Sequence, residues 1–127
     1  MQTNDQRYAN EVFLNIQAMM DDGQAGKYKT VCKKAGSLVR NSGLMQAMAF
    51  LKARGQRQAE HHHQTLLDHI KDELIGLGCI PPATNDITDY IRTTSLSNYM
   101  IHTRQILKLL NWHKRLADTL ILQEEDR

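Results

Sequence analysis

Positively charged side chains are concentrated in one part of this sequence. Between Asp22 and Glu60 there are eight Lys and Arg residues and no Asp or Glu. This segment therefore has a formal charge of +8, whereas the other residues, with 8 basic and 14 acidic side chains, sum to −6. This separation of charge along the sequence indicates what the protein binds rather than how it folds, because a positive surface attracts phosphates. The eight cations are Lys27, Lys29, Lys33, Lys34, Arg40, Lys52, Arg54 and Arg57.

The spacing of these cations predicts a basic helix surface. At about 100° per residue, Lys29, Lys33 and Arg40 share a narrow sector opposite the apolar side chains of one helix. Lys27 and Lys34 flank that sector. The positive charge continues past the next helix through Lys52, Arg54 and Arg57.

Two interpretations of this surface remain open, a polyanion-binding site and a solvated helix face. Solvated faces usually mix charges for pairing at i,i+4, and the segment itself contains no acid to pair with these cations. This absence favours polyanion binding. The only aromatic residues of the segment, Tyr28 and Phe50, are at positions expected to face the core. We therefore expect contacts to a phosphate backbone rather than stacking of bases.

A histidine-rich stretch, "EHHHQTLLDH" at 60–69, is the obvious candidate for a metal site. His61, His62 and His63 point about 100° apart on a helix and are poorly arranged to share one ion. The alternative is a metal-dependent enzyme built on His62, His69 and Glu73, although no HExxH motif is present. We predict exposed imidazoles at the start of a helix and no bound metal.

Nucleophilic chemistry has no recognisable signature in the sequence. There is no G-x-S-x-G elbow, no P-loop and no Gly-rich dinucleotide fingerprint. Cys32 lies near three lysines in the sequence, but its helical phase points inward, which predicts a structural thiol. We predict a protein that is not an enzyme, with no catalytic residue and no cofactor.

The elements that carry these residues are predicted to be helices. Apolar residues recur at three- and four-residue spacings almost throughout, as in Tyr8, Val12, Ile16 and Met19. No alternating β pattern of useful length occurs. The expected fold is all-α, a single compact bundle of about five to six helices that forms one domain over 1–127. We predict helices over residues 4–21, 27–40, 44–54, 59–77, 86–92 and 96–122.

Two boundaries have distinct signals. The "NSG" at 41–43 predicts a helix stop, with Gly43 in the left-handed conformation. "TTSLSNYM" offers Thr or Ser caps for the last helix. The inward positions expected on that helix are Leu96, Tyr99, Met100, Thr103, Ile106, Leu107, Leu110, His113, Ala117, Leu120 and Ile121.

The last helix also contains the only Trp and further charges. Trp112 lies at the edge of the apolar stripe, where core packing and contact with a neighbouring subunit are equally compatible with its position. Lys108, Lys114 and Arg115 form a second, smaller basic strip. Asp118, Glu124, Glu125 and Asp126 are expected to be a solvated acidic terminus.

The bulk properties predict a cytoplasmic protein. A chain of 127 residues is most simply one domain. No apolar run approaches the roughly 20 residues of a membrane span. The N-terminal residues resemble no signal peptide. Cys32 and Cys79 lack CxxC spacing and are expected to be reduced.

Two stretches resemble a known family, the small subunit of the type III-B CRISPR effector (the Cmr complex). "KYKTVCKKAGSLVRNSGLMQAMAFLKAR" at 27–54 is similar to the family's K-Y-K-x-x-x-K-K run followed by S-x-x-x-x-x-G-L-x-Q-A-x-A-F-L. "LLNWHKRLADTL" at 109–120 is similar to a Leu-Asn-Trp-x-Lys-Arg stretch near the C-terminus. The sequence departs from the pattern at Ala35-Gly36, where a bulkier residue and often a proline is expected.

This resemblance implies a non-catalytic subunit of an antiviral ribonucleoprotein. Copies would stack head to tail beside the guide RNA–target RNA duplex, with other Cmr subunits as further partners and no membrane contact. Single-stranded nucleic acid is another candidate ligand. Acidic residues at 68–73 and in the C-terminal tail are candidates for contact with a neighbouring copy. The positions that carry over for RNA binding are Lys27, Lys29, Lys33, Lys34, Arg40, Lys52 and Arg54.

A different class of function is a helical DNA-binding regulator, with 37–54 as a helix-turn-helix. It needs base-reading side chains at the start of the third helix. The sequence offers only Gln46 there.

Overall fold

A computed structural model describes residues 1–123, and their regular secondary structure is helical, as predicted. Within this range there is no β-strand. A short 3₁₀ turn at Gln58–Glu60 occupies positions where the sequence predicts the start of the fourth helix. The helices are α1 (Asn4–Met19), α2 (Ala25–Ser42), α3 (Leu44–Gly55), α4 (His62–Gly76), α5 (Ile87–Thr93) and α6 (Leu96–Leu120).

Side-chain caps fix the beginnings of three helices. Thr3 and Gln6 form a capping box, in which each side chain accepts a hydrogen bond from the other residue's backbone N–H. Asp86 accepts from the N–H groups of Thr88 and Asp89 at the start of α5. Ser95 accepts from the N–H of Asn98 at 3.2 Å, which confirms the predicted cap of α6.

Gly43 is the only residue between α2 and α3. Its N–H donates to the carbonyl of Val39 at 2.9 Å, and its carbonyl accepts from the N–H of Ala47 at 3.1 Å, so it ends one helix and begins the next. Its φ is positive, as predicted, at 85°, but its ψ of 157° is extended rather than left-handed helical. That combination is essentially restricted to glycine. The chain therefore turns from α2 into α3 at a single residue.

One continuous hydrophobic core contains residues from all six helices. α2 packs mainly against α6 and also contacts α3 and α4. The side chains of α2 and α3 that are buried or packed against this core include Tyr28, Val31, Cys32, Ala35, Leu38, Val39, Leu44, Ala47, Met48 and Leu51. The largest fully buried side chains include Tyr28, Ile16, Leu44, Met48, Leu66, Leu67, Ile70, Leu74, Ile91, Ile106, Leu109 and Leu110.

The predicted inward face of α6 is wrong at its first turns. Leu96 is 76% exposed and Met100 is 54% exposed. The buried stripe of α6 instead includes His102 and Leu109, together with Ile106. At about 100° per residue, Leu96 and Met100 lie about 80° and 120° around the helix from Ile106, which puts both outside the stripe.

Within the described residues, no helix is both long enough and apolar enough to cross a membrane.

Candidate nucleic-acid interface

The cations of α2 lie on two different flanks of the helix. Lys29 and Lys33 are half-buried beside the end of α6. The ammonium of Lys29 donates to the carbonyl of Ile121 at 3.1 Å, and that of Lys33 lies 3.5 Å from a carboxylate oxygen of Asp118. A cation at a helix C-terminus stabilises the helix through its dipole. These two lysines therefore help to fasten α6 to α2.

Lys27 and Lys34 lie on the other flank and line a groove between α2, α3 and the start of α4. The groove has a volume of about 260 Å³. The two lysines are separated by two helical turns, or about 10 Å along the axis. Arg54, His62 and His63 add further polar groups to its walls. Its apolar lining consists of Val31, Ala35, Leu38, Phe50 and Leu51.

The predicted burial of Phe50 is wrong. This side chain is 42% exposed and lines the same groove. The guanidinium carbon of Arg54 lies 5.0 Å from the centre of the Phe50 ring, which is a cation–π contact. The ring of His63 approaches edge-on, with centroids 6.4 Å apart. The inward positions of α3 are Ala47, Met48 and Leu51, and Phe50 falls outside them.

The prediction that these cations have no acidic partner is also wrong for several of them. Arg54 and Arg57 both contact Glu60, at 2.9 and 3.3 Å. The hydrogen bond from Arg54 lowers the pKa of the Glu60 carboxyl. Lys52 forms an ion pair with Asp86, whose hydrogen bond raises the pKa of the lysine. Glu60 is the last residue of the 3₁₀ turn and Asp86 caps α5, so both partners lie outside the acid-free segment, whose own spacing does not reveal them.

Three of the eight predicted cations contact neither a carboxylate nor a helix terminus among residues 1–123. They are Lys27, Lys34 and Arg40. Arg40 is exposed, and its guanidinium lies 3.4 Å from the hydroxyl of Ser37. Unneutralised cations on one helix are the groups best able to contact phosphates, because no carboxylate competes for them.

The adjacent histidines have three different environments. His61 is exposed as predicted, whereas His62 is buried and His63 is half-buried, which corrects the prediction of three exposed imidazoles. His63 lies 2.9 Å from the carbonyl of Glu60 through Nδ1. Within the described part of the chain, no group of three potential ligands is arranged to hold a metal ion.

A buried polar network behind α2 was not anticipated from the sequence. The Nε2 atom of His113 lies 2.7 Å from a carboxylate oxygen of Glu73, and both side chains are fully buried. Asn15 donates to the same carboxylate at 2.8 Å. The hydroxyl of Tyr28 lies 2.6 Å from Nδ1 of His69 and 3.2 Å from Nδ1 of His113. The network thus connects α1, α2, α4 and α6, and it fixes α2 against the bundle.

The protonation states in this network follow from burial and the Glu73 charge. Burial alone lowers the pKa of His113, but the carboxylate of Glu73 and the hydrogen bonds of His113 raise it to about 10. Burial and then the charge of His113 lower the pKa of His69. Burial raises the pKa of Tyr28 well above its usual value. His113 is therefore a cation paired with Glu73 at neutral pH, and His69 is neutral.

Several other predictions concern this part of the molecule. Cys32 is buried and contacts His113, with 3.8 Å between Sγ and Nδ1, as expected of a structural thiol. Trp112 is half-buried against the core. Lys108, Lys114 and Arg115 are all exposed on α6.

The acidic surfaces differ in part from expectation. Glu73 is fully buried, so it is not part of an acidic face at 68–73, although Asp68 and Asp72 are exposed. Asp118 is exposed and pairs with Lys33. The predicted acidic residues at 124–126 lie outside the described residues.

The segment proposed as a helix-turn-helix has a different geometry. Only Gly43 separates α2 from α3, whereas that motif uses a turn of three or four residues. Gln46 is exposed near the start of α3, but it is the sole base-reading candidate there.

Comparisons with known proteins agree on one family. A model of the family described as "CRISPR-associated protein (Cas_Cmr5)" matches residues 4–120. A Thermus thermophilus protein named "CRISPR system Cmr subunit Cmr5" is 27% identical over 121 residues, which cover 95% of this chain and 98% of the relative.

A solved structure is similar over nearly the whole fold. The crystal structure of a CRISPR-associated Cmr5 family protein from Thermus thermophilus superposes with a TM-score of 0.79 at 27% identity. The match covers 95% of this chain and 99% of the other.

Proposed function

This chain belongs to the Cas_Cmr5 family of CRISPR-associated proteins, and from that premise we propose that it is a non-catalytic small subunit of a type III-B CRISPR (Cmr) complex. Its partners are the other Cmr subunits, copies of itself, and the backbones of the guide and target RNAs. It acts in the cytoplasm, where it lies beside the RNA duplex and takes no part in cleaving it.

One observation supports the proposed contact with RNA. Lys27, Lys34 and Arg40 are on α2, and no carboxylate among residues 1–123 pairs with them. Phosphate oxygens of RNA would supply the anionic partners that these three cations lack. The other five cations already have contacts. Lys29 and Lys33 hold α6, and Lys52, Arg54 and Arg57 have acidic partners. These five are proposed to add to the positive electrostatic field rather than to make the main contacts with RNA.

Assembly of the complex tests this proposal. Replacing Lys27, Lys34 and Arg40 together by Ala should reduce incorporation of the chain into a Cmr complex reconstituted on guide RNA. The matched control replaces Lys108, Lys114 and Arg115, which are also two lysines and one arginine, exposed on α6. The proposal expects the control to assemble normally. Equal incorporation of both variants would refute it.

The non-catalytic role is supported by the state of the most reactive side chains. Glu73 and His113 are fully buried and paired with each other, so neither reaches a substrate in this conformation. The purified chain should leave guide and target RNAs intact. Cleavage of RNA that disappears in a His113→Gln variant would overturn this part of the proposal.

Contact between copies is proposed to involve opposite charges. Asp68 and Asp72 are exposed on α4, and Lys34 and Arg40 are exposed on α2. A head-to-tail contact between them is heterologous and can propagate. Gel filtration of the isolated chain at low and high salt tests this, because an electrostatic contact should produce larger species only at low salt.

A further inference from the structure

The groove between α2, α3 and α4 combines positive charge with an apolar and aromatic lining. Backbone contact alone needs only the positive charge. Phe50, Val31 and Leu38 present apolar surface inside the groove, and Lys27 and Lys34 lie on the same walls. A ligand that satisfies both parts has a planar apolar group and an adjacent anion. A nucleotide has this composition.

We propose that this groove accepts one unstacked nucleotide of single-stranded RNA, with its base against Phe50 and Arg54 and its phosphates on Lys27 and Lys34. The inference rests on the proposed function and specifies how that same surface contacts RNA. It differs from contact by charge and shape alone, because it requires a base to leave its stack.

The aromatic wall has the properties required for base contact. Phe50 is 42% exposed although it is a large apolar side chain, and exposed aromatic rings and Arg guanidinium planes are the surfaces on which splayed RNA bases stack. Arg54 lies over the Phe50 ring, and its charge is partly neutralised by Glu60. Arg54 is therefore suited to planar contact, while the two lysines contact phosphates.

The size of the groove favours a single nucleotide over a folded partner segment. Its volume of about 260 Å³ is slightly below the roughly 300 Å³ at which small-molecule pockets begin. An acidic protein segment would satisfy Lys27 and Lys34 equally well. Such a segment gives no special role to the exposed ring of Phe50.

The first test compares two RNAs that have the same charge. The full-length chain is titrated at low salt with a short oligouridine and with an oligomer of the same length that has abasic riboses. Stacking of one base predicts that the oligouridine binds about 5- to 150-fold more tightly. Equal affinity for the two would overturn the inference while leaving the proposed RNA contact intact. No binding of either would overturn both.

Substitutions at Phe50 test whether the preference for RNA that contains bases comes from this groove. Phe50→Ala, and Phe50→Leu as a smaller change that keeps apolar contact, should reduce the preference for bases without changing binding to the abasic oligomer. Phe13→Leu is the matched control, because Phe13 is the other phenylalanine and is 40% exposed. A preference for bases that survives both Phe50 variants, or that Phe13→Leu removes, would contradict the assignment to this groove.

Photo-crosslinking gives an independent readout. Oligouridine that contains 4-thiouridine should crosslink to Phe50 or to its groove neighbours, and mass spectrometry identifies the site. A glutamate homopeptide of the same charge should compete poorly. Efficient competition by that peptide would show that the groove binds acidic segments and not a base. Crosslinks located only outside the groove would contradict contact between the base and Phe50.

Discussion

At the scale of single residues, the buried pair of Glu73 and His113 is the most consequential feature of the protein. Burial of two charges is costly unless they pair with good geometry and further hydrogen bonds. Here Asn15 and Tyr28 supply those bonds. The pair is thus tolerated, but the loss of either charge leaves the other one buried alone.

A substitution at Glu73 tests this description. Glu73→Gln should lower the free energy of unfolding by about 3 kcal/mol, because the charge of His113 loses its partner. Chemical denaturation measures the change. Asp72→Asn, an exposed neighbour on the same helix, should change stability by about 0.5 kcal/mol or less. Similar changes in the free energy of unfolding for the two variants would contradict the description of Glu73 and His113 as a buried charge pair.

The same pair predicts how stability depends on pH. The pKa of His113 rises from an ordinary value of about 6.5 to about 10 on folding. Its stabilisation is therefore complete below about pH 6.5 and is lost as the pH rises through 10. The slope contributed by one proton is at most about 1.4 kcal/mol per pH unit. The pKa of His69 is lowered, so its contribution falls as the solution becomes more acidic than about pH 6.5.

Denaturation curves at several pH values measure this dependence. Wild-type stability should be greatest near neutral pH and should decline towards pH 10. A Glu73→Gln/His113→Gln double variant removes both charges and should lack the decline between about pH 7 and 9. A wild-type profile that is flat over this range would show that His113 is not a buried cation.

The sequence predicts only part of this residue-scale arrangement. The helical period correctly places His113 inward on α6. The helical period does not identify the partner of His113, because Glu73 is 40 positions away on another helix. The acidic residues near Glu73 in the sequence also suggested that Glu73 lies on the surface. Phe50 shows the opposite error, since hydrophobicity suggested burial but its position on α3 leaves it outside the packed face.

At the scale of helices, Gly43 sets the angle between α2 and α3. An added Cβ at Gly43 would meet nothing within 4 Å, so the cost of a substitution there is conformational. Gly43→Ala should destabilise the protein by about 1 to 3 kcal/mol, because its backbone conformation is accessible almost only to glycine.

Gly36, inside α2, provides a matched comparison. A Cβ at Gly36 would make an ordinary contact with Arg40 at 3.5 Å. Gly36→Ala should therefore stabilise the protein by about 0.5 to 1 kcal/mol, through the helix propensity of alanine. Thermal and chemical denaturation should show effects of opposite sign. Stabilisation by Gly43→Ala would contradict the assigned turn.

Helix boundaries were largely predictable, and helix phase was less so. Local signals such as "NSG" and Ser95 mark ends that depend on short-range hydrogen bonds. The phase of α6 depends on which faces its neighbours cover. Because α6 is 25 residues long and its first turns leave Leu96 and Met100 exposed, hydrophobicity alone does not indicate the buried stripe.

At the scale of the whole molecule, folding divides the eight cations into distinct groups. Acids outside residues 23–59, namely Glu60, Asp86 and Asp118, pair with half of them, and Lys29 binds the C-terminus of α6. The composition of 23–59 predicts a positive region. It cannot predict which charges remain available, because the neutralising residues lie elsewhere in the sequence.

The salt dependence of RNA binding reports how many phosphates the α2 cations contact. For a single strand, each phosphate contact adds about −0.7 to the slope of log K against log salt concentration. Replacement of Lys27, Lys34 and Arg40 by Ala should make the slope about 2 units less negative. The Lys108, Lys114 and Arg115 control should retain the wild-type slope. An unchanged slope in the α2 variant, or an equal change in the control, would contradict the assignment of this surface to RNA.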